Sequence, residues 1–305
     1  MENLRCGDWS AVIDPAHGAN CISLRNEAYG ASLLREVPAE GEPENPFLYG
    51  MPILFPVNRI QDGSFMFEER QYVFPINEPK TGCHLHGELH RTAFRVVEKS
   101  DTAILCRYDA TECAPYLSFP HAFSVLMRYE LRTDGLYHTV TVSNLSRHNM
   151  PLLLGFHTTF NTLFLKDSHP QSIRVLAEIS EEYERNMALD YLPTGVKPPF
   201  DDTSSSLADG SYCPTLKKDS RHYRGNGRLA ITDLRRGVRV VYENDEKYLF
   251  RLIYNGGDEG FICLEPQTCL ANAPRSPFSR EEAGFDFLKV GESKCYRSRI
   301  FMEEL

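Results

Sequence analysis

The stretch AFSVLMRYELRTDGLYHTVTVSNLS, residues 122–146, constrains the fold more than any other. β-Branched or aromatic residues alternate with polar ones on both sides of Asp134-Gly135. A period of two puts every second side chain on one face of a strand, and Asp-Gly supplies a tight hairpin turn. The same grammar recurs. TAFRVVEKSDTAILCRYDA, residues 92–110, reads as a hairpin turning at Lys99-Ser100-Asp101, and SFMFEERQYVFPI as two strands joined near Glu68-Glu69-Arg70. Residues 9–35 are short apolar pieces punctuated by Gly, Pro and Asn. RLAITDLRRGVRVVYENDEKYLFRLIYN gives two or three more strands, the last two split by Asn244-Asp245. GFICLEPQT is a further apolar strand, and FDFLKVGESKCYRSRIFMEEL closes the chain with a Gly turn and an alternating strand.

Between these lie three polar connections: 38–46, rich in Pro, then 166–170 and 197–222. EISEEYERNMALDYLPTG, residues 178–195, is read as partly helical. No internal repeat or low-complexity linker breaks the chain. The expectation is an all-β protein, one large antiparallel β-sandwich forming a single domain over residues 1–305.

Charge and cysteines narrow the function. The chain carries 42 acidic against 33 basic residues, a formal net charge of −9, with no basic run to track a phosphate backbone; nucleic acid is not an expected partner. The N-terminal MENLRCGDWSAVIDPAHG lacks a basic segment followed by an apolar one, and no apolar run is long enough to cross a bilayer. Nine cysteines without a C-x-x-C pair, most within apolar runs, suit reduced buried thiols. These features lead to the expectation of a cytoplasmic protein with no membrane partner.

Polar residues cluster in Met51–Arg91, where Asn58-Arg59 sits at a turn and His84, His86, His90 and Arg91 fall close together. Residues two apart on a strand share a face, so the histidines could be metal ligands, but the Glu that a metal-binding H-x-H motif wants is missing. His84 and His90 are better read as solvated or structural. Elsewhere, Glu265 ends the apolar run Phe261-Ile262-Cys263-Leu264, and burial there would raise its pKa toward that of a general base. His157 likewise ends an apolar run, Pro151–Phe156. No G-x-S-x-G elbow, P-loop or G-x-G-x-x-G is present, which removes the usual acyl-transfer and nucleotide chemistries.

In order, these pieces resemble the aldose 1-epimerase (galactose mutarotase) family. The resemblance rests on Asn58-Arg59-Ile60, Gly63, Phe65, Tyr72, Leu85-His86-Gly87, Asn144-Leu145-Ser146, Gly155-Phe156-His157-Thr158-Thr159-Phe160-Asn161, Leu192-Pro193-Thr194-Gly195, Leu264-Glu265-Pro266-Gln267 and Val290-Gly291-Glu292. It spans nearly the whole chain. It implies a β-sandwich with a sugar-binding groove, Glu265 as catalytic base, His157 as acid, and Asn58, Arg59, His86, Arg91 and Gln267 as substrate-binding residues. It also implies an aspartate that binds sugar hydroxyls, for which Asp190, Asp201, Asp202 and Asp209 all stand open. Arg59 would oppose a proton on His157, so a neighbouring carboxylate is expected to hold the imidazolium. Glu69, Phe94 and Thr158-Thr159 depart from the family pattern and bear on sugar preference.

The implied reaction is exchange of the α and β anomers of a free aldohexose such as galactose or glucose, by acid–base ring opening without cofactor or metal. The protein would act as a monomer or homodimer. Alternatives are a hexose-6-phosphate mutarotase, with Arg221, His222 and Arg224 as a phosphate patch, and a sugar-binding protein without catalysis. A glycosidase would need a second carboxylate flanking the bond.

Overall fold

The structure, a computed structural model, describes residues 1–38, 45–214 and 218–305. Two large antiparallel sheets dominate it. The first has eight strands in the spatial order Arg95–Lys99, Ala103–Ala110, Phe123–Arg132, Gly135–Asn144, Ser293–Glu304, Val238–Asn244, Gly227–Asp233 and Ile173–Ala177. The Asp134-Gly135 hairpin lies at its centre, pairing Arg132 with Gly135 and Phe123 with Asn144. Its alternation is visible in the burial: Val125, Met127, Tyr129 and Leu131 face the core.

The second sheet carries the candidate site. Its strands are β1 (Ile53–Leu54), β2 (Gly155–Phe156), β3 (Glu181–Tyr183), β4 (Asp219–Arg224), β5 (Phe250–Asn255) and β6 (Phe261–Gln267), paired in the order β3-β4-β5-β6-β2-β1. A seventh strand, Thr159–Asn161, also pairs with β6. The sheets share one core. His138 of the first sheet meets the Phe156 ring of the second edge-on at 4.8 Å, and Phe160 packs on Tyr242 at 5.7 Å. This is the sandwich that the alternating runs predict.

β6 shows how an apolar strand can hold a buried carboxylate. All seven of its residues are buried. Ile262 and Leu264 enter the common core, so the period of two turns Cys263, Glu265 and Gln267 to the opposite face. Register then aligns Leu252 with Glu265, and Tyr254 with Cys263, across β5.

Residues 178–195 differ from expectation. Only β3 is regular there; beyond it the chain doubles back, with an isolated bridge from Arg185 to Pro193. The Asn186 carbonyl accepts the N–H groups of Leu189, Asp190 and Tyr191, so a tight turn consumes the donors a helix would use. The α-helix, Asp202–Asp209 (α1), lies instead in the stretch read as a polar connection. Asp201 caps it, accepting from the Ser204 N–H at 2.9 Å, and left-handed Gly210 (φ 79°) ends it. Its Ser, Thr and Asp residues are poor helix formers in an interior, which hides it from a periodicity reading. Most of the expected 38–46 loop and part of the 197–222 connection lie outside the described residues. No helix among the described residues is long and apolar enough to cross a membrane.

Candidate active site

A cavity of about 360 Å³ opens on the outer face of the second sheet. β4 and β5 supply Ser220, Leu252 and Tyr254, and β6 supplies Glu265. His157 enters from the end of β2, where its backbone N–H donates to the Pro52 carbonyl at 3.0 Å. Phe47, Asn58, Arg59, Glu78, His86, Arg185 and Tyr191 are among the other lining residues. Sequence separation of more than 200 residues between Arg59 and Glu265 is thus closed by the fold.

Glu265 is fully buried. Its Oε2 accepts from Gln267 Nε2 at 3.1 Å, Gln267 Oε1 accepts from Asn58 Nδ2 at 3.2 Å, and Asn58 Oδ1 accepts the Arg59 backbone N–H at 2.9 Å. This relay fixes one carboxylate oxygen. The other, Oε1, lies 3.2 Å from His157 Nε2 and has no hydrogen bond among the described residues. Burial pushes the Glu265 carboxyl up to about 8, against the pull of Gln267, Arg185 and Arg59. Burial likewise pushes His157 down to about 3. Burial thus works against the expected imidazolium. Burial opposes both charges, which favours a single proton for the pair, drawn to the Glu265 side.

His86 sits with φ 62°, its N–H donating to the Asn58 carbonyl at 3.0 Å. Its ring meets His157 edge-on at 5.5 Å and packs on Phe47 at 4.6 Å. Burial, then His157 and Arg59, hold it well below the ordinary imidazole range. Gly87, which follows it, is irreplaceable on geometry: a Cβ there would stand 1.8 Å from the Phe55 carbonyl oxygen, at φ 64°.

Two arginines line the cavity. Arg59 donates to both oxygens of Glu78, at 2.6 and 2.7 Å, and lies over the Tyr191 ring at 4.5 Å. Burial works to raise Glu78, but Arg59 and Thr81 hold it below the usual carboxylate range. Arg185, two residues beyond β3, is 7% exposed and donates from Nη2 to the Ser220 carbonyl and hydroxyl at 2.6 and 2.8 Å. Burial, followed by the charge of Arg59, draws it down to about 10.

The cavity thus brings together Asn58, Arg59, His86, His157 and Glu265, with Gln267 behind Glu265. Arg91 is not brought there. It ends the short 3-10 turn Leu89–Arg91 with its side chain exposed, outside the lining. None of the four aspartates lines the cavity either. Asp190 accepts from the Leu192 N–H, Asp201 caps α1 and pairs with Arg221 at 2.8 Å, Asp202 lies in the first turn of α1, and Asp209 accepts from the Ser211 N–H. The second cavity carboxylate is Glu78.

His84 is buried against Phe74 with Nδ1 on the Pro75 carbonyl, and His90 is buried against Phe47. Among the described residues, the donors close enough for one metal ion are instead those of His157, Cys263 and Glu265, within 4.8 Å of one another. The suggested phosphate patch is dispersed: Arg221 pairs with Asp201, Asp219 and Glu182, Arg224 donates to the Glu282 carbonyl, and His222 is fully buried.

Arg185, Glu78, Tyr191, Phe47 and Tyr254 escape the sequence reading. Arg185 and Tyr191 lie in the stretch taken as partly helical, and Glu78 follows a strand pair with no local mark. Only pairing of β3 with β4, or of Glu78 with Cys83, brings them to the cavity.

A family model for aldose 1-epimerase matches residues 7–299. Among solved structures, a galactose mutarotase-like protein from Clostridium acetobutylicum is 30% identical, with a TM-score of 0.93 over 99% of this chain and 95% of its own. A galactose mutarotase-like protein from Lactobacillus casei ATCC 334 is 18% identical, with a TM-score of 0.76 over 99% and 100% of the two chains. The galactose 1-epimerase of Lactobacillus acidophilus NCFM, 13% identical, has the same fold at a TM-score of 0.68 over 97% and 92%.

Proposed function

The chain belongs to the aldose 1-epimerase family, and from that premise we propose that it is a mutarotase, a single catalytic domain that exchanges the α and β anomers of an aldose. The observation that carries the reading is the buried Glu265–His157 contact at 3.2 Å, with one proton for two groups.

Ring opening removes the proton of the anomeric hydroxyl O1 and delivers one to the ring oxygen. Both oxygens are bonded to C1, so base and acid must be neighbours, as Glu265 and His157 are. For the transfer to begin, the pair's proton must stand on His157 and Glu265 must be the carboxylate. Glu265 then takes the O1 proton while His157 protonates the ring oxygen. The products are the open aldehyde, protonated Glu265 and neutral His157, the protonation state that burial favours. Rotation about C1–C2 presents the other face of the aldehyde, and closure runs the transfers backward. The pair returns to its starting state without any outside proton donor.

The neighbours assist. Gln267 and Asn58 hold Glu265 Oε2, leaving Oε1 for the proton. Arg59, fixed by Glu78, and neutral His86 are placed to hydrogen-bond sugar oxygens. Retention of both acid and base weighs against a purely sugar-binding role. The unpaired thiols of all nine cysteines support a reducing, cytoplasmic setting.

Polarimetry on freshly dissolved single anomers tests the proposal. The wild-type protein should speed the approach to equilibrium for at least one member of a broad aldose panel. Activity on none of them would remove it.

A further inference from the structure

One arginine that lines the cavity has no carboxylate of its own among the described residues. Arg59 is cancelled by Glu78 through two hydrogen bonds. Burial opposes a charge on Glu265, on His157 and on His86 alike. Arg185 is left over. Its Nη2 is spent on two uncharged oxygens of Ser220, and no carboxylate among the described residues comes within the 4.0 Å ion-pair distance. Glu265, Asp219 and Glu182 act on Arg185 only from beyond that distance, and the last two lie on Arg221 at 2.8 and 3.3 Å. A guanidinium nine-tenths buried without a counterion is costly, and this one lines the substrate cavity.

We infer that the substrate brings the counterion: the cavity takes an aldose that carries a carboxylate, a hexuronate, and Arg185 is its receptor. The inference rests on the mutarotase reading and specifies its substrate class. The chemistry of a guanidinium selects the carboxylate, which it meets with paired, charge-assisted hydrogen bonds that a hydroxyl of a neutral hexose cannot match. A hexuronate supplies that group. Its carboxylate sits on C5, the ring carbon beside the ring oxygen, so it can reach a second wall of the same cavity while C1 stays at Glu265 and His157. The residues earlier read as a phosphate patch have no part in this, since Arg221 and Arg224 are held by the protein's own oxygens.

The test compares kcat/KM for anomer exchange of glucuronate, glucose and glucose 6-phosphate. In wild type the glucuronate-to-glucose ratio should exceed one by roughly 10- to 100-fold, the worth of a hydrogen bond to a charged group. Arg185→Gln should collapse that ratio to about one, and Arg185→Lys should keep part of it; a ratio does not depend on the fraction of variant that folds. A wild-type ratio at or below one, a ratio unchanged in Arg185→Gln, or preference for the 6-phosphate would overturn the assignment while leaving the mutarotase reading standing. If no sugar is exchanged, that reading fails by itself. Calorimetry with glucuronate then decides the inference: binding weakened roughly 10-fold or more by Arg185→Gln supports it, and equal binding or none in wild type overturns it.

Discussion

Glu265 and His157 owe their chemistry to burial, and burial leaves a pH signature. With the carboxyl near 8 and the imidazole near 3, the one-proton form of the pair prevails between those values. Anomer exchange should therefore hold a plateau through neutrality and fall above pH about 8, with no acid limb near 6.5, as a pH profile of kcat/KM will show. Stability is linked to the same groups. Between the ordinary carboxyl pKa of 4.5 and about 8 the folded state binds the Glu265 proton and the unfolded state does not, so rising pH erodes stability there. His157, depressed on folding, acts oppositely below 6.5, which leaves Glu265 alone from 6.5 to about 8. Glu265→Gln removes that titration. Its melting temperature relative to wild type should be higher at pH 8 than at pH 6.5, while its exchange rate drops roughly 10²- to 10⁴-fold. The sequence marks both positions, since each ends an apolar run, but only the family resemblance implies their pairing as base and acid. Their shared proton was not legible, since it depends on a 3.2 Å contact between residues 108 positions apart.

Elements place those groups. β6 sends Ile262 and Leu264 to the core and Glu265 to the cavity, while Asn58 and Gln267 tie its end to the turn that carries Arg59. Gln267→Ala should release Glu265 and lower kcat roughly 10-fold with little change in KM, as steady-state kinetics would reveal; a loss confined to KM would place Gln267 against substrate instead. Gly87→Ala forces a Cβ onto the Phe55 carbonyl and should cost about 2–4 kcal/mol in denaturant melts. Strand pairs with turn signals, such as those at Asp134-Gly135 and Lys99-Ser100-Asp101, were legible because their chemistry is local. Arg185 was not. Its neighbours Asn186, Met187 and Leu189 resemble helix sequence, and the bridge to Pro193 that shapes the turn spans eight residues.

At the scale of the whole molecule, two antiparallel sheets share a core and leave the outer face of one free to carry a cavity. Alternation and turn spacing announce the sandwich; they do not say which face is hollow. That depends on how loops from β1, β2 and β3 gather over β4–β6, and on charges that no motif contains. The same architecture stabilises the chain without cross-links, since none of its nine cysteines is paired. Its melting temperature should be the same with and without reductant. In the proposed mechanism the anomeric centre sits between Glu265 and His157, and a crystal structure of Glu265→Gln with an aldose bound is the decisive measurement. O1 should lie within hydrogen-bond reach of residue 265 and the ring oxygen within reach of His157 Nε2. A sugar bound outside this cavity, or inside it with C1 turned away from both residues, would contradict it.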